Sequence, residues 1–226
     1  MTKTLNLEWQ TQGITPALLT GEDALAMYKA LPKQVRDNLS YDEDSKSVIG
    51  STPFASAILD VEAQKYGART PNLRDLSRPE VMRIARDRFY IDSRNLVVRS
   101  NTDPHFSRND ALLKQIYELA EEKEGNVKSP FMIECFTFVP DRKDKTGYGL
   151  KIVPLSDFKV TQDERFNGEH SGKKFSEVDE LGIPKFYASG NRTWYAKDKG
   201  LSRLCLDGYL GLVSGNGLLA GSNDVG

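Results

Sequence analysis

The chain has 226 residues, of which 38% are hydrophobic and 28% are charged, and its formal net charge is −1. This length is sufficient for one large or two small domains with a buried core, and the composition excludes an intrinsically disordered chain. The near-zero net charge excludes a nucleic-acid-binding protein that is basic over its whole surface, although it allows a local basic patch.

The cellular compartment is indicated by what the sequence lacks. The first twelve residues contain no apolar run of about seven or more residues, which a secretory signal requires. No window approaches the roughly 18 consecutive apolar residues of a transmembrane helix. Cys135 and Cys205 lie far apart among apolar residues, so we expect two buried thiols rather than a disulfide. These observations predict a cytoplasmic protein with no membrane partner.

Three amphipathic helices are predicted in the N-terminal part of the chain. Residues 20–32 begin with a threonine that can cap a helix and end at a proline. Residues 52–67 begin with Thr-Pro and end at a glycine, which suits a left-handed helix stop. Residues 77–80 form the capping box Ser-Arg-Pro-Glu, which predicts the start of a third helix. The acidic run 37–45 between the first two helices is predicted to be a solvated loop.

Strand patterns and one further helix follow from about residue 89. Residues 89–91 and 96–98 are two short β-prone runs. Residues 107–125 have helical spacing, with four glutamates on the side opposite the apolar stripe, so we expect the glutamates to be solvated. The apolar positions predicted to face the core are Leu112, Ile116 and Leu119.

Residues 131–139 are nearly continuously apolar and rich in aromatic and β-branched side chains. This pattern predicts a central strand covered on both faces, with Phe136 buried. Residues 150–153 are predicted to pair with it as an antiparallel hairpin. In the loop-rich last seventy residues, 204–213 alternate like a strand and 214–217 carry a strong turn signal.

The predicted fold is therefore α+β, with a helical N-terminal half packed on a mostly antiparallel sheet and a loop-rich β C-terminal third. We divide the chain into a mainly helical region, residues 1–95, and an α+β region with the central antiparallel sheet, residues 96–226. A single continuous domain agrees equally well with the sequence.

Arginine is concentrated between residues 69 and 108, which hold nine of the 14 arginines in the chain together with five acidic residues. Arg83 and Arg86 lie three residues apart on the polar side of the predicted third helix, and guanidinium groups bind phosphate or carboxylate through two parallel hydrogen bonds. The segment predicts a docking surface for nucleic acid or an acidic protein. The alternative is a polar helix face that neighbouring Asp and Glu residues neutralise. The residues predicted to bind are Arg69, Arg74, Arg78, Arg83, Arg86 and Arg99.

A second candidate site is carried by Asp141, which follows a proline, and by the segment Asp157-Phe-Lys159. This string resembles the PD-(D/E)xK motif of a large family of metal-dependent nucleases. The resemblance implies that Asp141 and Asp157 hold Mg²⁺ and that Lys159 polarises the attacking water. Asp157 and Lys159 have the two-residue spacing of one strand face. The sequence departs from the motif because Asp141 falls in a predicted turn and Pro154 is a poor start for a strand.

Glu134 is a third candidate because it lies inside the most apolar strand, where burial raises the pKa of a carboxyl group. The alternative is that Glu134 faces a partly open side of the sheet or pairs with a neighbouring Lys or Arg. No Walker loop, dinucleotide fingerprint, nucleophile elbow or zinc motif is present in the sequence. We therefore predict a binding or interaction protein that is not an enzyme and needs no cofactor, with the metal-dependent nuclease as the alternative. The sequence leaves the oligomeric state open.

Overall fold

The structure, a computed structural model, describes residues 20–37, 39–49, 52–64, 67–87, 90–144 and 147–215. These residues form five α-helices and ten β-strands, with three short 3-10 turns. The helices are α1 (Gly21–Ala30), α2 (Lys33–Arg36), α3 (Pro53–Gln64), α4 (Pro79–Asp87) and α5 (Asn109–Glu124). The strands are β1 (Ser40–Asp42), β2 (Ser47–Ile49), β3 (Tyr90–Val98), β4 (Phe131–Pro140), β5 (Leu150–Gln162), β6 (Lys174–Val178), β7 (Pro184–Tyr187), β8 (Arg192–Ala196), β9 (Leu201–Asp207) and β10 (Leu212–Ser214). The 3-10 turns are Asp75–Ser77, Glu164–Phe166 and Gly168–His170.

An eight-stranded sheet organises the molecule, with the strand order β5-β4-β3-β9-β10-β8-β6-β7. Neighbouring strands are antiparallel except β10 and β8, which run parallel. The helices lie mostly in the N-terminal half and the strands dominate the C-terminal part. This arrangement confirms the predicted α+β fold. No helix in the described ranges combines the length and the apolarity needed to cross a bilayer.

Two hydrophobic cores lie on opposite faces of this sheet. In the first, α3 packs on β3 and β4 while α5 packs on β5, and the buried side chains include Phe54, Ile116 and Phe131. In the second, α4 and the Asp75–Ser77 turn cover the sheet around residues that include Trp194. Because successive side chains of a strand point to opposite faces, the neighbours Val98 and Val97 of β3 enter the first and the second core respectively. Together the two cores bury enough apolar side chains to stabilise a domain of this size without disulfides.

The helix boundaries follow the predicted capping signals. Helix α1 begins directly after Thr20, and α3 begins at Pro53, where the Phe54 N–H donates to Oγ1 of Thr52 (3.3 Å). Gly67, which follows α3, has a φ of 69°, and this is the left-handed conformation expected of a helix-terminating glycine. The third predicted helix is preceded by the Asp75–Ser77 turn and becomes α-helical only at Pro79.

The predictions for α5 and β4 are confirmed. Leu112 and Ile116 are buried and Leu119 packs partly buried against the same core, whereas the glutamates of the opposite side are exposed. Strand β4 lies between β3 and β5, and only 2% of the surface of Cys135 and of Phe136 is exposed. The predicted hairpin with β5 also forms, and it extends well beyond residues 150–153.

Three local predictions differ from the structure. The acidic run 37–45 is not a loop throughout, because Ser40–Asp42 pairs with β2 and the Asp42 carboxylate accepts the N–H groups of Asp44 and Ser45, which closes a hairpin turn. The two β-prone runs near residue 90 belong to the single strand β3, which is interrupted only by a bulge. Residues 204–213 do not form one strand, because the chain turns between β9 and β10, and most of the predicted turn 214–217 lies outside the described residues.

Candidate functional site

The Arg-rich segment passes through the Asp75–Ser77 turn, α4 and β3, and its arginines divide into a group paired within the fold and an exposed group. Arg69 and Arg78 converge on the carboxylate of Asp75, whose side chain is 3% exposed. Arg69 binds both carboxylate oxygens, with 3.0 Å between its Nη2 and Oδ1, and Nε of Arg78 lies 3.3 Å from Oδ1 without hydrogen-bond geometry. Burial raises the pKa of Asp75, but the Arg69 bonds and the Asn72 N–H outweigh it, and the net pKa is lowered. These two arginines therefore stabilise the turn that precedes α4.

Arg99 is buried directly after β3, with 6% of its surface exposed. Its Nε donates to the carbonyl oxygen of Phe166 (2.5 Å), and its terminal nitrogens donate to the hydroxyls of Ser202 (2.7 Å) and Ser214 (2.9 Å). Burial lowers the pKa of this guanidinium, while the charge of Asp198 opposes that change. Arg99 thus joins three sequence-distant segments inside the fold, and a partner has no access to its guanidinium.

Arg74, Arg83 and Arg86 form the exposed group, which we call the arginine surface. None of their side chains forms a hydrogen bond or an ion pair with any residue in the described ranges. On α4, Val81 and Ala85 are buried in the second core, so the helix is anchored while Arg83 and Arg86 face solvent about 5 Å apart along its axis. Arg83 and Arg86 are therefore presented by an anchored helix, and Arg74 directly precedes the Asp75–Ser77 turn.

Arg192 stabilises the turn that precedes α4, and it is a residue that the sequence did not single out. It is 5% exposed, lies 4.7 Å from the ring centroid of Phe175, and donates to Oγ of Ser77 (3.0 Å) and to the carbonyl oxygen of Leu210 (2.8 Å). It therefore connects the start of α4 to the β9–β10 turn. No local sequence pattern marks Arg192, because Ser77 lies more than a hundred residues away and Leu210 lies in a turn between two strands.

The nuclease-like residues are separated in the structure. Asp141 follows β4, where its N–H donates to the carbonyl oxygen of Gly149 (2.9 Å) and its carboxylate accepts the Lys143 N–H (2.9 Å) in a turn. Asp157 instead lies near the thiol of Cys135. Cys135 precedes Asp141 by six residues on an extended strand, which corresponds to about 20 Å. The structure therefore does not bring Asp141 and Asp157 together around one ion.

Lys159 and Glu134 face each other across β4 and β5. Their residues are register partners, and Nζ of Lys159 lies 3.6 Å from Oε1 of Glu134, whose side chain is 15% exposed. Glu134 thus pairs with a neighbouring lysine, as the alternative interpretation of this residue predicted. Among the described residues, no group of three or more His, Cys, Asp or Glu side chains is placed to hold a metal ion.

Both cysteines are free and buried, which confirms their predicted state. Burial and the hydrogen bond to Asp157 raise the pKa of the Cys135 thiol to about 12, and burial also raises the pKa of Cys205. Because the thiolate is the nucleophilic form, neither sulfur is activated for covalent chemistry at neutral pH.

No protein-family model matches the chain, and no curated protein or solved structure is significantly similar to it. The function must therefore be inferred from the arrangement of the chain's own residues. Of the arginines that the sequence singled out, Arg74, Arg83 and Arg86 are exposed, and their side chains have no partner among the described residues.

Proposed function

We propose that the protein is a binding protein that docks an anionic macromolecule, either nucleic acid or an acidic protein, on the arginine surface. The observation that carries the proposal is that Arg74, Arg83 and Arg86 are exposed and have no ion-pair partner among the described residues. In contrast, Arg69, Arg78 and Arg99 are engaged inside the fold. The docking role therefore falls to three of the six arginines that the sequence selected.

The chemistry of guanidinium supports this assignment. A guanidinium group is a planar cation that donates two parallel hydrogen bonds to a phosphate or carboxylate. Two of the three groups project from one anchored helix, so binding restricts only their own side chains and not the backbone that carries them. Glu80 lies one helical turn before Arg83 and forms no ion pair with it, so the guanidinium is available to an external anion.

The proposal is tested with an Arg83→Ala/Arg86→Ala double variant. Binding of a labelled 20-base-pair duplex DNA and of a labelled oligoglutamate peptide is measured by fluorescence anisotropy at a series of salt concentrations. For duplex DNA, each lost phosphate contact should reduce the slope of log affinity against log salt by about 0.9. Thermal stability should change little, since exposed substitutions usually alter the free energy of unfolding by at most about 0.5 kcal/mol.

The matched control is Arg142→Ala/Lys143→Ala, which removes two exposed positive charges from the β4–β5 loop. The control should bind like the wild type, because its charges lie outside the arginine surface. The proposal fails if wild type binds neither probe in a salt-dependent manner, or if both double variants lose binding equally. It also fails if the Arg83→Ala/Arg86→Ala variant melts much earlier than wild type, because the arginines would then stabilise the fold.

A further inference from the structure

Strands β7, β6 and β8 form one end of the eight-stranded sheet, and their side chains alternate between a buried and an open face. Phe175 of β6 and Trp194 of β8 are fully buried, and Arg192 is 5% exposed, so these residues belong to the second core. The residues that alternate with them must point to the opposite face. On that face Tyr187 is 51% exposed and Tyr195 is 45% exposed.

The strand register aligns the residues of the open face. Lys174 of β6 is the register partner of Tyr187 on β7 and of Thr193 on β8. Nζ of Lys174 donates to Oγ1 of Thr193 (2.8 Å), which confirms that these side chains share one face. Tyr195 lies two residues after Thr193 and therefore on the same face of β8. We call this set, Lys174, Tyr187, Thr193 and Tyr195, the tyrosine face.

The spacing of the tyrosine face suits planar ligands. Two strand spacings separate Tyr187 from Thr193, and two residues along β8 separate Thr193 from Tyr195, so the two tyrosines stand about 12 Å apart. At this distance the rings do not stack on each other, and each is free to contact a separate planar group. Gly211 leaves room for the Tyr195 ring, because a Cβ at that position would lie 3.0 Å from a ring carbon.

Lys174 supplies a positive charge to the tyrosine face, while the Asp207 carboxylate lies next to the Tyr195 ring on the far side of Thr193. Lys174 is exposed, and its ammonium group forms no ion pair with a carboxylate of the described residues. Lys185 lies two residues before Tyr187 on β7, and its Nζ is 3.9 Å from Glu177, an exposed pair of small energetic effect. The Lys174 ammonium group, which is hydrogen-bonded only to the Thr193 hydroxyl among the described residues, therefore lies between strands that carry two exposed aromatic rings.

We propose that the tyrosine face binds single-stranded nucleic acid. A base stacks on each of Tyr187 and Tyr195, and Lys174 pairs with the phosphate backbone between them. Exposed aromatic rings stack with unpaired bases and a lysine ammonium group binds phosphate, and stacking tolerates any base because every base has a π-face. A duplex hides its bases and does not offer these contacts. An apolar protein surface would leave the Lys174 ammonium desolvated and unpaired.

This second surface is independent of the arginine surface, because its residues lie on the sheet face opposite to the one that α4 covers. The experiment measures anisotropy of a fluorescently labelled 12-nucleotide oligouridine RNA with the full chain. Tyr187→Ala and Tyr195→Ala should each weaken binding roughly five- to 150-fold. Tyr187→Phe should retain most of the affinity, because the ring and not the hydroxyl carries the contact. Lys174→Ala should reduce the slope of log affinity against log salt by about 0.7.

The controls separate this proposal from general effects. Phe106→Ala removes a ring with 50% exposure from the loop before α5, and Lys143→Ala removes a cation from the β4–β5 loop; both should bind the RNA like the wild type. Circular dichroism and thermal melts verify that each variant is folded. The proposal is overturned if wild type does not bind the RNA, if the tyrosine variants bind like wild type, or if Phe106→Ala weakens binding equally.

The same measurements distinguish this proposal from the proposed function. Loss of RNA binding in the tyrosine variants, with RNA binding retained in Arg83→Ala/Arg86→Ala, supports the tyrosine face whatever the duplex and oligoglutamate probes show. Loss of RNA binding in the arginine variant alone places the single strand on the arginine surface and overturns the assignment to the tyrosine face.

Discussion

Asp103 shows how a single buried acceptor organises a loop in this protein. Only 2% of the surface of this residue is exposed. Its carboxylate accepts hydrogen bonds from Nδ2 of Asn109 (2.7 Å), from Nζ of Lys197 (3.2 Å), and from the N–H groups of Leu201 (3.2 Å) and His105 (3.1 Å). Burial raises its pKa, but the Asn109 bond and the Lys197 charge outweigh it, and the net pKa is lowered. Asp103 therefore fastens the loop between β3 and α5 to the start of β9.

Replacing Asp103 by Asn should lower the free energy of unfolding at pH 7 by about 3 kcal/mol, because the Lys197 charge would lose its buried partner. The folded pKa of Asp103 is below its unfolded value of about 3.9. Its stabilising contribution is therefore complete above that value and lost as pH falls through the folded pKa. Urea denaturation at pH 3 to 7 measures this, and the difference between wild type and variant should shrink below about pH 4. A difference that stays constant with pH would contradict the assignment.

At the scale of one element, β4 contains a bulge whose central residue is under backbone strain. Cys135 has a φ of 61°, and the register between β4 and β5 shifts between Glu134 and Phe136. Non-glycine residues adopt this left-handed conformation at a cost of about 1–2 kcal/mol, and β-branched residues avoid it most strongly. The bulge directs Cys135 toward Asp157 and leaves Glu134 opposite Lys159, so it determines which polar groups meet on this hairpin.

Substitutions at Cys135 should therefore follow an unusual order. Cys135→Gly should be more stable than Cys135→Val by about 2 kcal/mol, because glycine relieves the strain and valine increases it. Cys205, equally buried in β9 and without a positive φ, is the matched control, and there Val should be more stable than Gly. Urea denaturation of the four variants provides the comparison. The same order at both positions would show that the backbone conformation of Cys135 has no energetic consequence.

At the scale of the whole molecule, β3 connects the helical part to the strand-rich part. It pairs with β4 through Leu96–Val98 and with β9 through most of its length. The two cores lie on opposite faces of this strand, since Val98 packs in one and Val97 in the other. The boundary that we drew from the sequence between the regions 1–95 and 96–226 therefore lies inside one strand of the main sheet.

This arrangement leads us to expect a single cooperative unfolding transition for the full chain. A fragment of residues 96–226 would lose α3, α4 and most of β3, and with them the cover of both sheet faces, so it should not fold alone. Circular dichroism and intrinsic fluorescence should report the same denaturation midpoint for the full chain. Two separate midpoints, or a cooperative transition in the isolated fragment, would show that the two regions are independent domains.

Local patterns in the sequence were sufficient for much of the fold. The capping residues at Thr20 and Thr52, the apolar spacing of α5 and the continuous apolar run of β4 each predicted an element that forms. These signals succeed because helix caps and side-chain periodicity depend on residues only a few positions apart. The prediction of a loop over residues 37–45 was wrong, because a short hairpin and a loop can have the same acidic composition.

The assignment of roles to individual polar residues was decided by the tertiary structure. The sequence determined that arginine is concentrated between residues 69 and 108, but it could not separate the exposed Arg83 from the buried Arg99. The hydrogen-bond partners of Arg99 lie 67 to 115 residues away in the sequence. The residues of the tyrosine face lie on different strands, which pair only in the folded sheet. Composition and periodicity determine whether a segment tends to form a helix or a strand and which of its faces becomes buried. The pairing of each charged side chain depends on contacts between segments that are distant in the sequence. These contacts form only when the chain folds and buries its two cores.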